Sequence, residues 1–240
     1  MRVREYLDSS RSPRYSILFA VPLLVSYELL AVVLGDRSAG VRNGADVLLK
    51  SLFLMLGGHR GLLLFNVGLG ALGVWLVLRD WRTHPGRLRP TIFAGMLLES
   101  LVLAVLVGVV VGRLTQALLH PLQIGGDASL GLGTQLMLSL GAGVYEELLF
   151  RVLLVGALAA LGRRAFGWTP RGAGIFAACI GALIFSAFHY IGPFGDPLEL
   201  GSFAFRAIAG LVFSGLYLTR GFGVTAWTHA LYDVLVTLAA

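Results

Sequence analysis

The sequence predicts an all-α fold: a polytopic bundle of transmembrane helices with seven to eight spans. Three observations predict it. Apolar residues fill 57% of the 240 positions and charged residues only 13%, whereas a soluble domain carries about 25% charged residues. The mean hydropathy is +0.82. Most of the apolar residues fall in runs of roughly 18–22 residues, the helical length that crosses a hydrocarbon core of about 30 Å. No polar remainder is large enough for a soluble domain, so residues 1–240 read as a single membrane domain.

The elements follow in order. Residues 1–14 are polar and basic, with Arg2, Arg4, Arg11 and Arg14. Tyr15–Leu34 is the first span and reads as a retained anchor, since a cleaved signal has a shorter apolar core and a small-residue cleavage site. Asp46–Leu56 is apolar but short and carries Lys50, so it reads as an interfacial or re-entrant helix; it is also the candidate eighth span. Further spans are expected at Gly61–Leu78, Thr91–Gly112, a long helix near Leu130–Leu161, Ala173–Tyr190, Gly201–Leu218 and Val224–Leu238. Many of the 32 glycines lie in these spans, where small residues let helices approach closely.

Charge sets the expected orientation. With the N-terminus in the cytoplasm, the inner segments hold twelve arginines; the outer ones hold Arg37, Arg42, Lys50, Arg60 and Arg113. That bias follows the positive-inside rule. The +6 formal charge therefore points to loops on anionic lipid rather than to nucleic acid. The lone Cys179 cannot form an internal disulfide and reads as a small packing residue.

The chemistry lies in the polar minority. The fourth long span contains Glu146, Glu147 and Arg151. Neighbouring helix positions point about 100° apart, so the two glutamates need different partners. Glu147 and Arg151, four apart in the favourable order, are expected to pair. Glu146 is left with an uncommitted carboxylate, which suits a general base or acid. Phe185 and His189 share a helix face, as do His229 and Asp233. One carboxylate, two histidines and an aspartate on three helices can activate water, bind a metal or relay protons. Taken singly, each motif is weak, since an intramembrane histidine often only packs through hydrogen bonds. Of the remaining buried charges, Glu28 and Arg206 are expected to form a structural ion pair, and Glu99 is left unassigned.

Read together as Glu146-Glu147…Arg151, Phe185…His189 and His229…Asp233, the three motifs resemble those of the CPBP family, which comprises CAAX prenyl endopeptidases and bacterial Abi-type intramembrane proteases. The resemblance runs from about residue 140 to the C-terminus, and marks 130–240 as a catalytic core with 1–129 as N-terminal helices. It implies hydrolysis of peptide bonds in membrane-associated proteins or peptides. Glu146 would be the base, His189 would orient the water, and His229 would stabilise the oxyanion. Glu147 and Arg151 would position the helix. Asp233 could serve as a protonated donor, orient His229 or help bind a metal. No cofactor is favoured. Zinc is the alternative, and Glu146, His189 and His229 would be its ligands; the chain lacks the His-Glu-x-x-His zinc-protease spacing.

A proton-coupled transporter and a non-catalytic immunity or scaffold protein are the competing readings. The expected partners are membrane lipid and a membrane-associated protein or peptide, and the expected location is the bacterial inner membrane. Straight spans would put His189 and His229 about 16 Å apart in depth, so a shared site needs tilt, unequal helix ends, or a break near Gly192-Pro193.

Overall fold

Ser12 and Pro13 open the first long helix. Proline at the first helical position has its ring angle already set and forfeits only an amide that would be unpaired there. In the computed structural model, which describes residues 3–35, 41–118, 130–192 and 195–239, this helix is α2 (Pro13–Leu34). It is preceded by a short α1 (Val3–Ser10). Then follow α3 (Gly44–Thr83), α4 (Pro90–Leu118) and α5 (Leu132–Gly141). A π-helical segment (Ala142–Val155) continues α5 without a break and runs on into α6 (Gly156–Ala165). The chain ends with α7 (Pro170–Phe188), α8 (Leu200–Arg220) and α9 (Phe222–Ala239). The described residues form helices and loops only.

Five of these helices (α2, α3, α4, α7 and α8) are long and apolar enough to cross a membrane. The continuous run from α5 to α6 and the C-terminal α9 complete the bundle. Its outer surface is apolar: Val32, Val33, Leu64, Leu98, Val102 and Ile175 are all exposed. Such a surface is stable against lipid and costly against water. Cys179 is exposed on α7, so it belongs to that outer surface and is not the packing residue its small size suggested.

α3 does not run straight. Gly57 and Gly58 leave helical geometry, and Gly58 has φ +57°, a conformation open to glycine at no steric cost. The chain doubles back there. A Cβ added at Gly61 would sit 2.0 Å from the Phe53 carbonyl oxygen, and the Phe53 and Phe65 rings lie 4.9 Å apart. The leg before Gly57 is too short to span, and it begins at polar residues buried between α2 and the π segment. The short 46–56 stretch is therefore a helix that folds back against the second leg, its start buried and its far end exposed, and the crossing is made by the second leg.

The centre of the bundle is α9, which packs against α2, α4, α5, α8 and the π segment. Val224, Thr225, Ala226, Thr228 and Ala230 are buried. The polar residues of the last helix, Thr225, Thr228 and His229 among them, are therefore buried against protein. Gly221, with φ +80°, makes the tight turn from α8 into α9. That turn is recessed. The Ser100 hydroxyl donates to the Val224 carbonyl at 3.3 Å, and Ser100 lies ten residues into α4, a rise of about 15 Å.

α1 is latched to the same region. Tyr6 donates to Glu99 at 2.6 Å, Arg220 pairs with Glu99 at 2.5 Å, and Arg220 also donates to the Ser10 hydroxyl. Burial, followed by the adjacent Glu99 carboxylate, raises the Tyr6 hydroxyl above its ordinary pKa, so it stays protonated as a donor. Glu99, unassigned from sequence, is thus the tie between α1, α4 and α8.

Candidate functional site

The π segment carries Glu146, Glu147 and Arg151. Its wider i→i+5 winding narrows the angle between neighbouring side chains, so both glutamates reach the interior. Close approach to α9 is possible because residue 143 is glycine: a Cβ there would lie 2.4 Å from the Ala226 carbonyl oxygen. With the backbones this close, Glu147 meets His229. Glu147 Oε1 lies 2.6 Å from His229 Nδ1, and its Oε2 lies 3.3 Å from Arg151 Nε. Glu147, Arg151 and His229 are all buried. A carboxylate only accepts, so His229 Nδ1 carries a proton.

Aromatic rings finish this clasp. The Arg151 guanidinium sits 4.3 Å from the Phe185 ring centre and 5.7 Å from that of Phe213. Phe213 stacks on the His229 imidazole at 4.3 Å. The negative faces of the rings attract the buried cation, whose Nη1 and Nη2 have no hydrogen-bond partner among the described residues. The second motif therefore uses its phenylalanine to cover the arginine of the first.

His189 stands at the C-terminal cap of α7. Its Nδ1 lies 2.9 Å from the Phe185 carbonyl; a carbonyl only accepts, so Nδ1 donates and the neutral ring keeps its lone pair on Nε2. The ring folds back one turn, 4.9 Å from Phe185, while His229 lies 6.5 Å from the same Phe185 ring. The two histidines are at one depth. The recessed α8–α9 turn removes much of the offset expected of straight spans, and the folded-back ring removes more. Unequal helix ends are thus the main reason. Gly192 adopts φ +95° in the turn after α7; Pro193 lies outside the described residues.

Glu146 points elsewhere. Its Oε1 accepts from Asn43 Nδ2 at 2.8 Å, and it lies close enough to interact electrostatically with His189, His229 and Arg151. Asp233 Oδ2 lies 3.5 Å from His229 Nε2. Glu146, His189 and Asp233 are each part-exposed, in contrast to the buried clasp behind them. The seven residues singled out in the three motifs are therefore gathered in one place.

Two other expectations are corrected. Glu28 does not pair with Arg206. It binds Arg42 at 2.9 Å, Lys50 at 3.0 Å and the Tyr145 hydroxyl at 2.9 Å. Arg206 pairs with Asp196 in the loop after α7. In each case the partners come from a nearby loop or helix start that meets the charge at its own depth. Asn43 was missed altogether. Its place just before Gly44-Ala45-Asp46 marks a helix cap, but nothing in the linear order connects it to Glu146.

The proposed zinc ligands do not fit a metal here. His229 has a carboxylate against each ring nitrogen, and no three of the described His, Cys, Asp and Glu side chains converge as ligands.

The fold and the site define a class: a helical membrane protein holding a carboxylate–histidine cluster inside its bundle. The family model for type II CAAX prenyl endopeptidases, Rce1-like, matches residues 128–235, the stretch that holds all three motifs. That stretch, a little under half of the chain, is similar to the family whose motifs it carries. No curated protein and no solved structure matches it.

Proposed function

We propose that this chain is an intramembrane endopeptidase that hydrolyses peptide bonds of membrane-associated proteins with water activated by Glu146 and His189. The observation that carries this reading is the convergence of those two part-exposed side chains in front of a buried Glu147–Arg151–His229 clasp. The similarity of residues 128–235 to a family of proteases supports it.

The proposed reaction uses the chain's own groups. His189 Nε2 accepts a hydrogen bond from water and orients it, while the Glu146 carboxylate takes its other proton. The water oxygen bonds to the scissile carbonyl carbon, and the carbonyl electrons move to its oxygen. That oxyanion takes a hydrogen bond from the protonated His229 Nε2, with Asp233 beside it at 3.5 Å. Glu146 then returns its proton to the leaving nitrogen as the C–N bond breaks. Glu147 and Arg151 hold His229 in place throughout.

The site also has a side. Arg14 donates to the His84 carbonyl, Arg11 to the Leu218 carbonyl, and Arg89 pairs with Glu5, so the arginine-rich segments gather at one end of the bundle. α7 starts at that end, next to Arg171, and His189 caps its far end. By the positive-inside rule, the arginine-rich end and the N-terminus face the cytoplasm of a bacterial inner membrane. The site then lies in the opposite half and takes substrates from the non-cytoplasmic face.

The test is comparative membrane proteomics of wild type against Glu146→Ala and His189→Ala. Fragments present only in wild type are expected; unchanged processing by both properly inserted variants overturns the reading. Sidedness is tested by a membrane-impermeant maleimide on intact cells in a Cys179→Ser background. Glu199→Cys should label and Arg87→Cys should not; the reverse pattern places the site on the cytoplasmic side.

A further inference from the structure

Asn43 belongs to the N-terminal half of the chain, outside the stretch that matches the protease family, and yet it touches the proposed catalytic carboxylate. Its side chain has two assignments at once. Oδ1 accepts from the Ala45 amide at 2.9 Å and caps α3. The same planar amide then presents Nδ2 to Glu146 Oε1 at 2.8 Å. Rotating the amide by half a turn would set its NH2 against the Ala45 N–H and its oxygen against the carboxylate, so the cap dictates which end meets Glu146.

The residue is held from other directions. The Asn43 amide N–H donates to the Tyr27 hydroxyl at 3.3 Å, and that hydroxyl donates to Asp46 at 2.8 Å. Asp46 is fully buried and pairs with Lys50 at 2.6 Å and Arg42 at 3.4 Å. Gly141 leaves room for this anchor: a Cβ there would lie 2.8 Å from the Asn43 Cβ. Asn43 itself is only 6% exposed, and Glu146 Oε2 has no hydrogen-bond partner among the described residues.

We propose that Asn43 is a positioning residue for Glu146: its amide, locked by capping α3, holds one carboxylate oxygen so that the other is presented to water. This rests on the hydrolase reading above, and it makes the folded-back first leg of α3 part of the working site.

The test separates the cap from the donor. Asn43→Ser and Asn43→Asp both keep a capping oxygen but lose the amide donor. The full chain is studied in nanodiscs with an internally quenched, farnesylated peptide ending in a Cys-aliphatic-aliphatic-X sequence. Asn43→Ser is expected to melt like wild type and to lose about tenfold or more in kcat with KM unchanged, because a misplaced catalytic group loses rate rather than affinity. Asn43→Asp, with a second carboxylate beside Glu146, should lose more. An activity-independent readout is the infrared carboxylate band of Glu146, assigned by its disappearance in Glu146→Gln. It should shift in Asn43→Ser, since a hydrogen bond to a carboxylate alters its stretch. An unshifted band, or unchanged kcat in both capping variants, overturns the proposal. If wild type leaves the peptide uncut while the band shifts, the Asn43 contact stands and the hydrolase reading fails for that substrate class.

Discussion

Glu147 Oε1 and His229 Nδ1 lie 2.6 Å apart across 82 residues of sequence, and this contact joins the helix of the first motif to the helix of the third. Glu147 also balances Arg151, which is 1% exposed. Removing one partner of a buried pair strands the other charge and costs about 3–5 kcal/mol. Glu147→Gln should therefore lower the melting temperature markedly and abolish cleavage. Glu147→Gln combined with Arg151→Met should recover most of the stability but not the activity. Thermal unfolding in nanodiscs checks both, and additive losses in the double variant would show that the two side chains are not coupled.

Phe185→Leu keeps an apolar side chain of similar bulk but removes the ring over Arg151. The desolvated cation–π contact is worth about 2 kcal/mol, and the His189 ring loses its edge contact as well. The expected result is a loss of that size in stability, with kcat reduced more than KM is raised. Unchanged kinetics would mean that Phe185 only fills space.

Gly143→Ala places a methyl group 2.4 Å from the Ala226 carbonyl oxygen. The π segment and α9 must separate to admit it. Such overpacking costs about 1–3 kcal/mol, and activity should fall as Glu147 and His229 part. Gly112→Ala, which meets nothing within 4 Å, is the control and should be neutral or slightly stabilising. A neutral Gly143→Ala would exclude the close packing.

Chelators provide a fourth check. His229 is enclosed by Glu147 and Asp233, so cleavage is expected to survive dialysis against EDTA and 1,10-phenanthroline. Loss of activity that zinc restores would require the site to rearrange around a metal.

The order and approximate ends of the long helices could be read directly from the chain, because lipid demands about twenty apolar residues per crossing and that demand is local. The same holds for the pairing of Glu147 with Arg151, four residues apart on one helix. The alternation of arginine-rich and arginine-poor loops is also local. What could not be read were contacts set by where separate helices begin. Glu28 and Arg206 suggested a pair by their similar depths, but each found a closer partner in Arg42 with Lys50 and in Asp196. The depth of His229 depended on a recessed turn at Gly221, and the reach of Asn43 to Glu146 on α3 folding back at Gly57 and Gly58. Sequence by itself determined the membrane fold and the three motifs with the family they resemble, because hydropathy and short spacings act within one helix. Only the tertiary structure decided that both histidines share one depth and that Asn43 holds Glu146, because those facts depend on the offsets between helices, which no spacing along a single helix encodes.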